Sequence, residues 1–126
     1  MIYAMLFNAI RQKDVDMFQA CISESRIDVN KVRHGHNILD IAIASGSVEI
    51  VDLLLNHPNI NVNRQKHHIE SPLHFTFMLT HSPDNIYKKG TFIENRKHLK
   101  MNHRKIMGML LRHPSMDYDQ NEDIFF

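Results

Sequence analysis

Residues 6–30, LFNAIRQKDVDMFQACISESRIDVN, lie over residues 39–63, LDIAIASGSVEIVDLLLNHPNINVN, at a constant offset of 33 with no gap. Leu6 falls on Leu39, Ala9 on Ala42, Ile10 on Ile43, Val15 on Val48, Phe18 on Val51 and Ile22 on Leu55. The tails also match, with Ile27-Asp28-Val29-Asn30 on Ile60-Asn61-Val62-Asn63. Two amphipathic helices can resemble each other by chance, but preserving the loops as well requires a true repeat. A period of this length means stacked units, each too small to bury its apolar face alone.

Each unit has a readable plan. A short helix carries Leu39, Ile41, Ala42 and Ile43, with small Ala42 and Ala44 allowing close approach of a neighbour. Gly46 supplies a turn that tolerates positive φ. A second helix, Val48 to Asn56, is expected to bury Val48, Val51, Leu54 and Leu55. His57-Pro58 ends it, because proline cannot continue the ladder and restricts the residue before it. An extended segment, Ile60 to Asn63, then leads to a polar tip, Arg64-Gln65-Lys66-His67-His68.

A third unit opens at Ser71-Pro72-Leu73-His74, with Leu73 at an offset of 34 from Leu39. Its second helix is displaced: Ile106, Met107, Leu110, Leu111 and His113-Pro114 match Ile50, Val51, Leu54, Leu55 and His57-Pro58 at an offset of 56. The 22-residue excess is an insertion at roughly 81–102. Ser82-Pro83-Asp84-Asn85 is turn chemistry, and Thr91 with Glu94 reads as a capping box. Phe92, Leu99 and Ile106 then recur every seven residues, which predicts one long helix from about Phe92 to Arg112.

The chain resembles the ankyrin-repeat family. The matching residues are SPLH at 71–74 for the family's T-P-L-H, LDIAIASGSVEIVDLLL at 39–55, and the Val-Asn endings at 29–30 and 62–63. It departs from the pattern at Lys13, where glycine is preferred, and at Asn37-Ile38-Leu39-Asp40 in place of T-P-L-H. The resemblance covers residues 3–119 and implies an all-α solenoid of helix–loop–helix units with short β-hairpin-like fingers. Residues 1–126 then form a single domain, with units at 3–35, 36–69 and 70–119 and a C-terminal tail at 120–126.

Composition narrows the function. A 126-residue chain with 43% hydrophobic and 23% charged residues is globular and holds one modest core. No apolar run approaches a membrane span, and the N-terminus lacks the layout of a signal peptide. One cysteine, Cys21, rules out an internal disulfide and suits a cytoplasmic setting. Its register matches Leu54 and Leu110, so it reads as a core residue and not a nucleophile. With no carboxylate pair, nucleophile elbow or glycine-rich phosphate loop, the sequence predicts no enzyme and no cofactor. Enrichment in Asn, Ile, Lys and His fits an AT-rich genome, as in intracellular bacteria and viruses that deploy ankyrin proteins in a host cytosol.

The net charge of +1 conceals a dipole. Residues 88–112 carry +7, from Lys88, Lys89, Arg96, Lys97, Lys100, Arg104, Lys105 and Arg112 against Glu94, and residues 113–126 carry −4. This basic face reads either as solvated helix or as a second contact surface for an acidic partner, centred on Arg96, Lys97, Lys100 and Arg104. Nucleic acid is disfavoured, since the helix has no interleaved aromatics for base stacking.

Ten histidines raise the question of a metal. His34 and His67 sit at equivalent fingertip positions, but neighbouring fingers about 10 Å apart would not bring ligands to bonding distance, and no metal site is predicted. His74 is expected to serve the scaffold, with Ser71 in the part of the family's threonine. The resemblance implies protein recognition through fingertips and first-helix surface. The aligned candidates are Arg33, His34, His36 and Asn37 on one finger and Lys66, His67, His68, Ile69 and Glu70 on the next. Asp40, Ile43, Ser45, Thr76 and Phe77 would extend that surface, with Ile69 and Phe77 as apolar anchors. It also implies a second possibility, hydroxylation of the unit-closing Asn63, or less well Asn30, by an asparaginyl hydroxylase. A third reading is an assembly module or part of a larger array, with Ile124-Phe125-Phe126 as cap or contact; a monomer is favoured.

Overall fold

The computed structural model describes residues 2–81 and 93–121, apart from the side chains of 93–98. Six helices follow in order: α1 (Ile2–Gln12), α2 (Val15–Ile22), α3 (Ile38–Ser45), α4 (Val48–Leu55), α5 (Pro72–His81) and α6 (Ile93–Leu111), with a 3₁₀ turn at Asp119–Asn121. The long helix expected from about Phe92 to Arg112 is α6. Phe92 itself, the Thr91/Glu94 capping box, most of the insertion, the Arg96 and Lys97 side chains, and Ile124-Phe125-Phe126 lie outside the described residues.

Local chemistry sets the helix ends. Asp14 caps α2 by accepting from the Met17 N–H at 3.1 Å. Asn37 and Asp40 cap α3 reciprocally: Asn37 Oδ1 accepts from the Asp40 N–H (2.9 Å), and Asp40 Oδ2 accepts from the Asn37 N–H (3.0 Å). The pair satisfies two backbone donors that the helix leaves free. α3 ends on Gly46 in the left-handed region, φ 71°. Lys13, at the equivalent place in the first helix pair, adopts φ 56° without being glycine. A left-handed non-glycine residue is held there by its surroundings at a cost of about 1 kcal/mol.

The helices pack in two layers. α1, α3 and α5 lie side by side, as do α2, α4 and α6, and each first helix packs on its second. The repeat register predicts the core: Leu6, Leu39 and Leu73 are fully buried, as are Ala9, Ala42 and Thr76 within 1%, and Cys21, Leu54 and Leu110 within 4%. A fully buried leucine contributes about 1.5–3 kcal/mol relative to an exposed one. Thr76 stands where the other units have alanine, and its hydroxyl is satisfied by donating to Pro72 O at 2.7 Å. Thr76 and Ile43 therefore belong to the core and not to a recognition surface. On α4 the buried set is Ile50, Val51, Leu54 and Leu55, while Val48 is half-buried and Ala44, on α3, is exposed.

α6 is tied to the α3–α4 turn by two side chains. Asn102 Nδ2 donates to Gly46 O (3.0 Å), and buried His103 places Nε2 2.8 Å from Ile43 O. A Cβ added to Gly46 would meet Leu99 Cδ2 at 2.6 Å, so the glycine also lets α6 approach. Burial holds His103 below the usual imidazole range, opposed by its contacts with the Ile43 and Ala44 backbone.

Candidate functional site

The fingers lie between the helix pairs, and their roots repeat a single device. Asn30 Nδ2 donates to Asn59 O (2.6 Å) while its Oδ1 accepts from the Asn61 N–H (2.7 Å). Asn63 does the same one unit on, donating to Ser115 O (2.7 Å) and accepting from the Asp117 N–H (2.7 Å). Each carboxamide thus clamps the turn that follows the next second helix. His113 joins the same turn: Nδ1 accepts from the Ser115 N–H (3.1 Å), which leaves the proton on Nε2, and Nε2 donates to Leu55 O (3.0 Å).

Above the roots, the first finger is a two-residue hairpin. Arg33 and His36 exchange both backbone hydrogen bonds, at 2.7 and 3.0 Å, and His34 and Gly35 both have positive φ (54° and 83°). Positive φ at both central residues is the signature of the tight turn that matches strand twist. The second finger is a wider turn, closed by the His68 N–H to Gln65 O (3.1 Å), with His67 at φ 72°. The two fingers touch. The Ile69 N–H donates to Gly35 O (3.3 Å), and the Ile69 side chain lies so close over Gly35 that a Cβ there would meet Ile69 Cγ1 at 2.4 Å.

Between finger and helix sits a buried polar cluster. Asn37, Asp40 and His68 are 1%, 2% and 4% exposed. Asn37 Nδ2 donates to Gln65 Oε1 (2.9 Å), and Gln65 Nε2 donates to Asn30 O (3.0 Å). His68 Nδ1 accepts from the Gln65 N–H (3.0 Å), which places the neutral ring's proton on Nε2. That nitrogen is 3.1 Å from Asp40 Oδ2, close but poorly aligned for a hydrogen bond, and Asp40 Oδ1 is buried without a partner. Burial raises Asp40 above the usual carboxylate range, opposed by the Asn37 backbone and by His68 and His36. Burial likewise lowers His68, opposed by Asp40. Burial thus shifts both groups toward their neutral forms. In the third unit Ser71 plays the part of Asn37, donating to Asn121 Oδ1 and accepting from the His74 N–H (3.1 Å).

Three of the residues expected on the recognition surface are corrected by this cluster. Asn37, Asp40 and His68 are inward-facing and lock the fingers to α3. Arg33, His34, Lys66, His67 and Ile69 are exposed, Ile69 at 62%. His36 and Glu70 are half-buried; His36 Nδ1 lies 3.6 Å from Asp40 Oδ2. The His74 ring is half-exposed, its Nδ1 3.8 Å from Glu70 Oε2, so the scaffold histidines are instead His68, His103 and His113. Phe77 is partly buried and stacks on His81 with centroids 4.1 Å apart, which makes it a weaker anchor than Ile69. Beside the second finger is a cleft of about 260 Å³ lined by Arg64, Ile69, Glu70, Ser71, His74 and Gln120. On α6, Arg104 is exposed and Lys100 half-buried.

Sequence reasoning missed His103, although the offset of 56 sets Asn102-His103 on Gly46-Ser47 and so places it at a helix-joining turn. It also passed over Gln65, whose amide links the Asn37 side chain to the Asn30 carbonyl at the finger base.

Stacked helix pairs with fingers at their junctions define a helical repeat solenoid. The family model for ankyrin repeats, in three copies, matches residues 3–66, and the chain belongs to that family. Comparison with curated proteins and with solved structures returns no significant match. Ankyrin repeats generally mediate protein–protein interaction and are typically non-enzymatic. Among the described residues no group of three His, Cys, Asp or Glu side chains could hold a metal ion, and no helix is long and apolar enough to cross a membrane.

Proposed function

We propose that this chain is a non-enzymatic recognition module that binds a partner protein through its two fingertips, with Arg33, His34, Lys66, His67 and Ile69 as the contact set and His36, Glu70 and Phe77 at its margin. One observation carries the reading. The finger bases are locked by buried hydrogen bonds, while the tips present Ile69, 62% exposed, among cations and imidazoles. A rigid loop with an exposed apolar side chain binds with little ordering cost. The division into units 3–35, 36–69 and 70–119, with the insertion at roughly 81–102, belongs to the same proposal, as does a host-cytosol setting for the partner. The basic face of α6 at Lys100 and Arg104 is a second, independent contact in this scheme. The Asn30 and Asn63 amides are each engaged in two hydrogen bonds, which favours a structural role over hydroxylation; a mass shift of about 16 Da on an Asn63 peptide after incubation with an asparaginyl hydroxylase would reverse that preference.

The test is capture from eukaryotic lysate followed by mass spectrometry. It compares the intact chain, a Lys66→Ala/His67→Ala/Ile69→Ala variant, and a variant with residues 82–100 replaced by a short polar linker. The expected result is a partner lost with the triple variant and kept with the linker variant. Normal capture by a folded triple variant would sink the fingertip assignment.

A further inference from the structure

We infer that the partner segment seated on the two fingertips is acidic, an extended carboxylate-rich stretch of protein; this rests on the fingertip reading above and specifies its chemistry. Across residues 31–36 and 64–70 the fingers carry four cations, Lys31, Arg33, Arg64 and Lys66, against one carboxylate, Glu70. Arg33, Arg64 and Lys66 are exposed, whereas Glu70 is half-buried and lies beside His74.

Two of these cations are held in place. Lys31 Nζ sits 4.6 Å from the centroid of the Tyr3 ring, and the Arg33 guanidinium carbon sits 6.0 Å from it. Tyr3 is itself fixed, its hydroxyl oxygen accepting from the Asp28 N–H at 2.9 Å. The Arg64 backbone is pinned on both sides by Gln120, which accepts from its N–H (2.8 Å) and donates to its carbonyl (3.5 Å). The Ile69 N–H joins the two fingers at Gly35, so the two pairs of cations sit on adjoining fingers with Ile69 as the apolar residue at the join.

The nearby carboxylates are turned to other work. Asp28 Oδ1 accepts from the Asn30 N–H (3.0 Å), and Asp117 Oδ1 accepts from the Asp119 and Gln120 N–H groups (3.0 and 3.3 Å). They stabilise the finger roots and keep their charge there, while the tips of the two fingers carry Arg33 and Lys66. Such a surface steers an oppositely charged partner and disfavours basic ones. A nucleic acid fits less well. Base stacking favours exposed Phe, Tyr or Trp faces, and residues 31–36 and 64–70 contain none of these, while the nearby Tyr3 has Lys31 over its ring.

The test is fluorescence anisotropy with the full chain and three labelled probes: a short glutamate-rich peptide carrying one leucine, its glutamine counterpart, and a short oligothymidine. Variants are Arg64→Glu/Lys66→Glu and, as a matched change of net charge at exposed residues outside either proposed contact, Arg11→Glu/Lys13→Glu, each checked for helical circular dichroism. A milder Arg64→Gln/Lys66→Gln variant covers misfolding of the first. We expect the glutamate peptide to bind, to weaken as salt rises, and to lose at least about tenfold in affinity with the finger variants while the Arg11→Glu/Lys13→Glu control keeps it. The inference is overturned if the glutamine peptide binds as well, if oligothymidine binds more tightly, if the control variant loses as much, or if no probe binds. Should partner capture still depend on Lys66, His67 and Ile69 in any of those cases, the fingertip reading survives and only its acidic partner is lost.

Discussion

The second and third helix pairs bury the same pattern of side chains but are joined differently. α3 and α4 are separated by a two-residue turn, Gly46-Ser47, and this short link itself holds them side by side. α5 and α6 are far apart in sequence, and α6 takes its register from ties to the preceding pair: Asn102 to Gly46, His103 to Ile43 and, at its far end, His113 to Leu55. The comparison shows that a repeat can be specified by its neighbour as well as by its own connection. Side-chain hydrogen bonds to buried carbonyls replace the tight turn.

The most direct way to break this comparison is His103→Ala, which removes a buried ring and strands the Ile43 carbonyl. We expect a loss of about 3 kcal/mol in urea unfolding, from cavity and hydrogen bond together. A loss below about 1 kcal/mol would mean that α6 is placed by apolar packing alone.

The root clamps allow a narrower test. Asn30→Ala and Asn63→Ala each delete two inter-unit hydrogen bonds of matched geometry, so each should cost about 1–3 kcal/mol, and nearly the same amount. Unequal costs would show that the two junctions differ in ways their hydrogen bonds do not reveal.

Acidification sharpens the same point. His68 and His103 both have folded pKa values lowered by burial, so the unfolded chain binds more protons than the native one just below pH 6.5. Their contribution is present above pH 6.5 and is lost as pH falls through their folded values. Asp40 is shifted up and works in the opposite sense, its contribution being present below pH 3.8 and lost as pH rises through its folded value. The denaturation midpoint should therefore fall from pH 8 to pH 5, and His103→Leu should flatten that fall. An unchanged slope in the variant would remove His103 from the account.

The smallest expected effect is at the first turn. Lys13→Gly relieves a left-handed residue and should stabilise by about 0.5–1 kcal/mol, whereas Gly46→Ala should destabilise through both φ and Leu99. Equal and opposite responses are not expected, because only Gly46 has a helix pressed against it.

Much of this architecture was legible in the sequence because a repeat offers the same evidence several times. The register placed Leu6, Leu39 and Leu73 in the core, and the Gly46 turn and His57-Pro58 stop followed from backbone chemistry. The candidate site was less legible. A fingertip and a finger base are adjacent in sequence and share polar composition, so Asn37, Asp40 and His68 looked like neighbours of Arg33 and Lys66. What separates them is burial, which depends on Gln65, 28 residues from Asn37, closing over the cluster. One clue was present: Asn37-Ile38-Leu39-Asp40 has the spacing of a capping box, which commits both polar side chains to the backbone. His103 was hidden by the insertion, which removes it from the visible period until the offset of 56 is applied.

Because α6 is docked by Asn102, His103 and His113, the join between His81 and Ile93 has little to enforce, and the entropy of closing a loop rises by only about 0.6 kcal/mol for each doubling of its length. That makes it a natural splice point. A reporter or a second binding domain could be grafted there, or the chain circularly permuted to begin at α6, with the fingertips on the opposite edge left undisturbed.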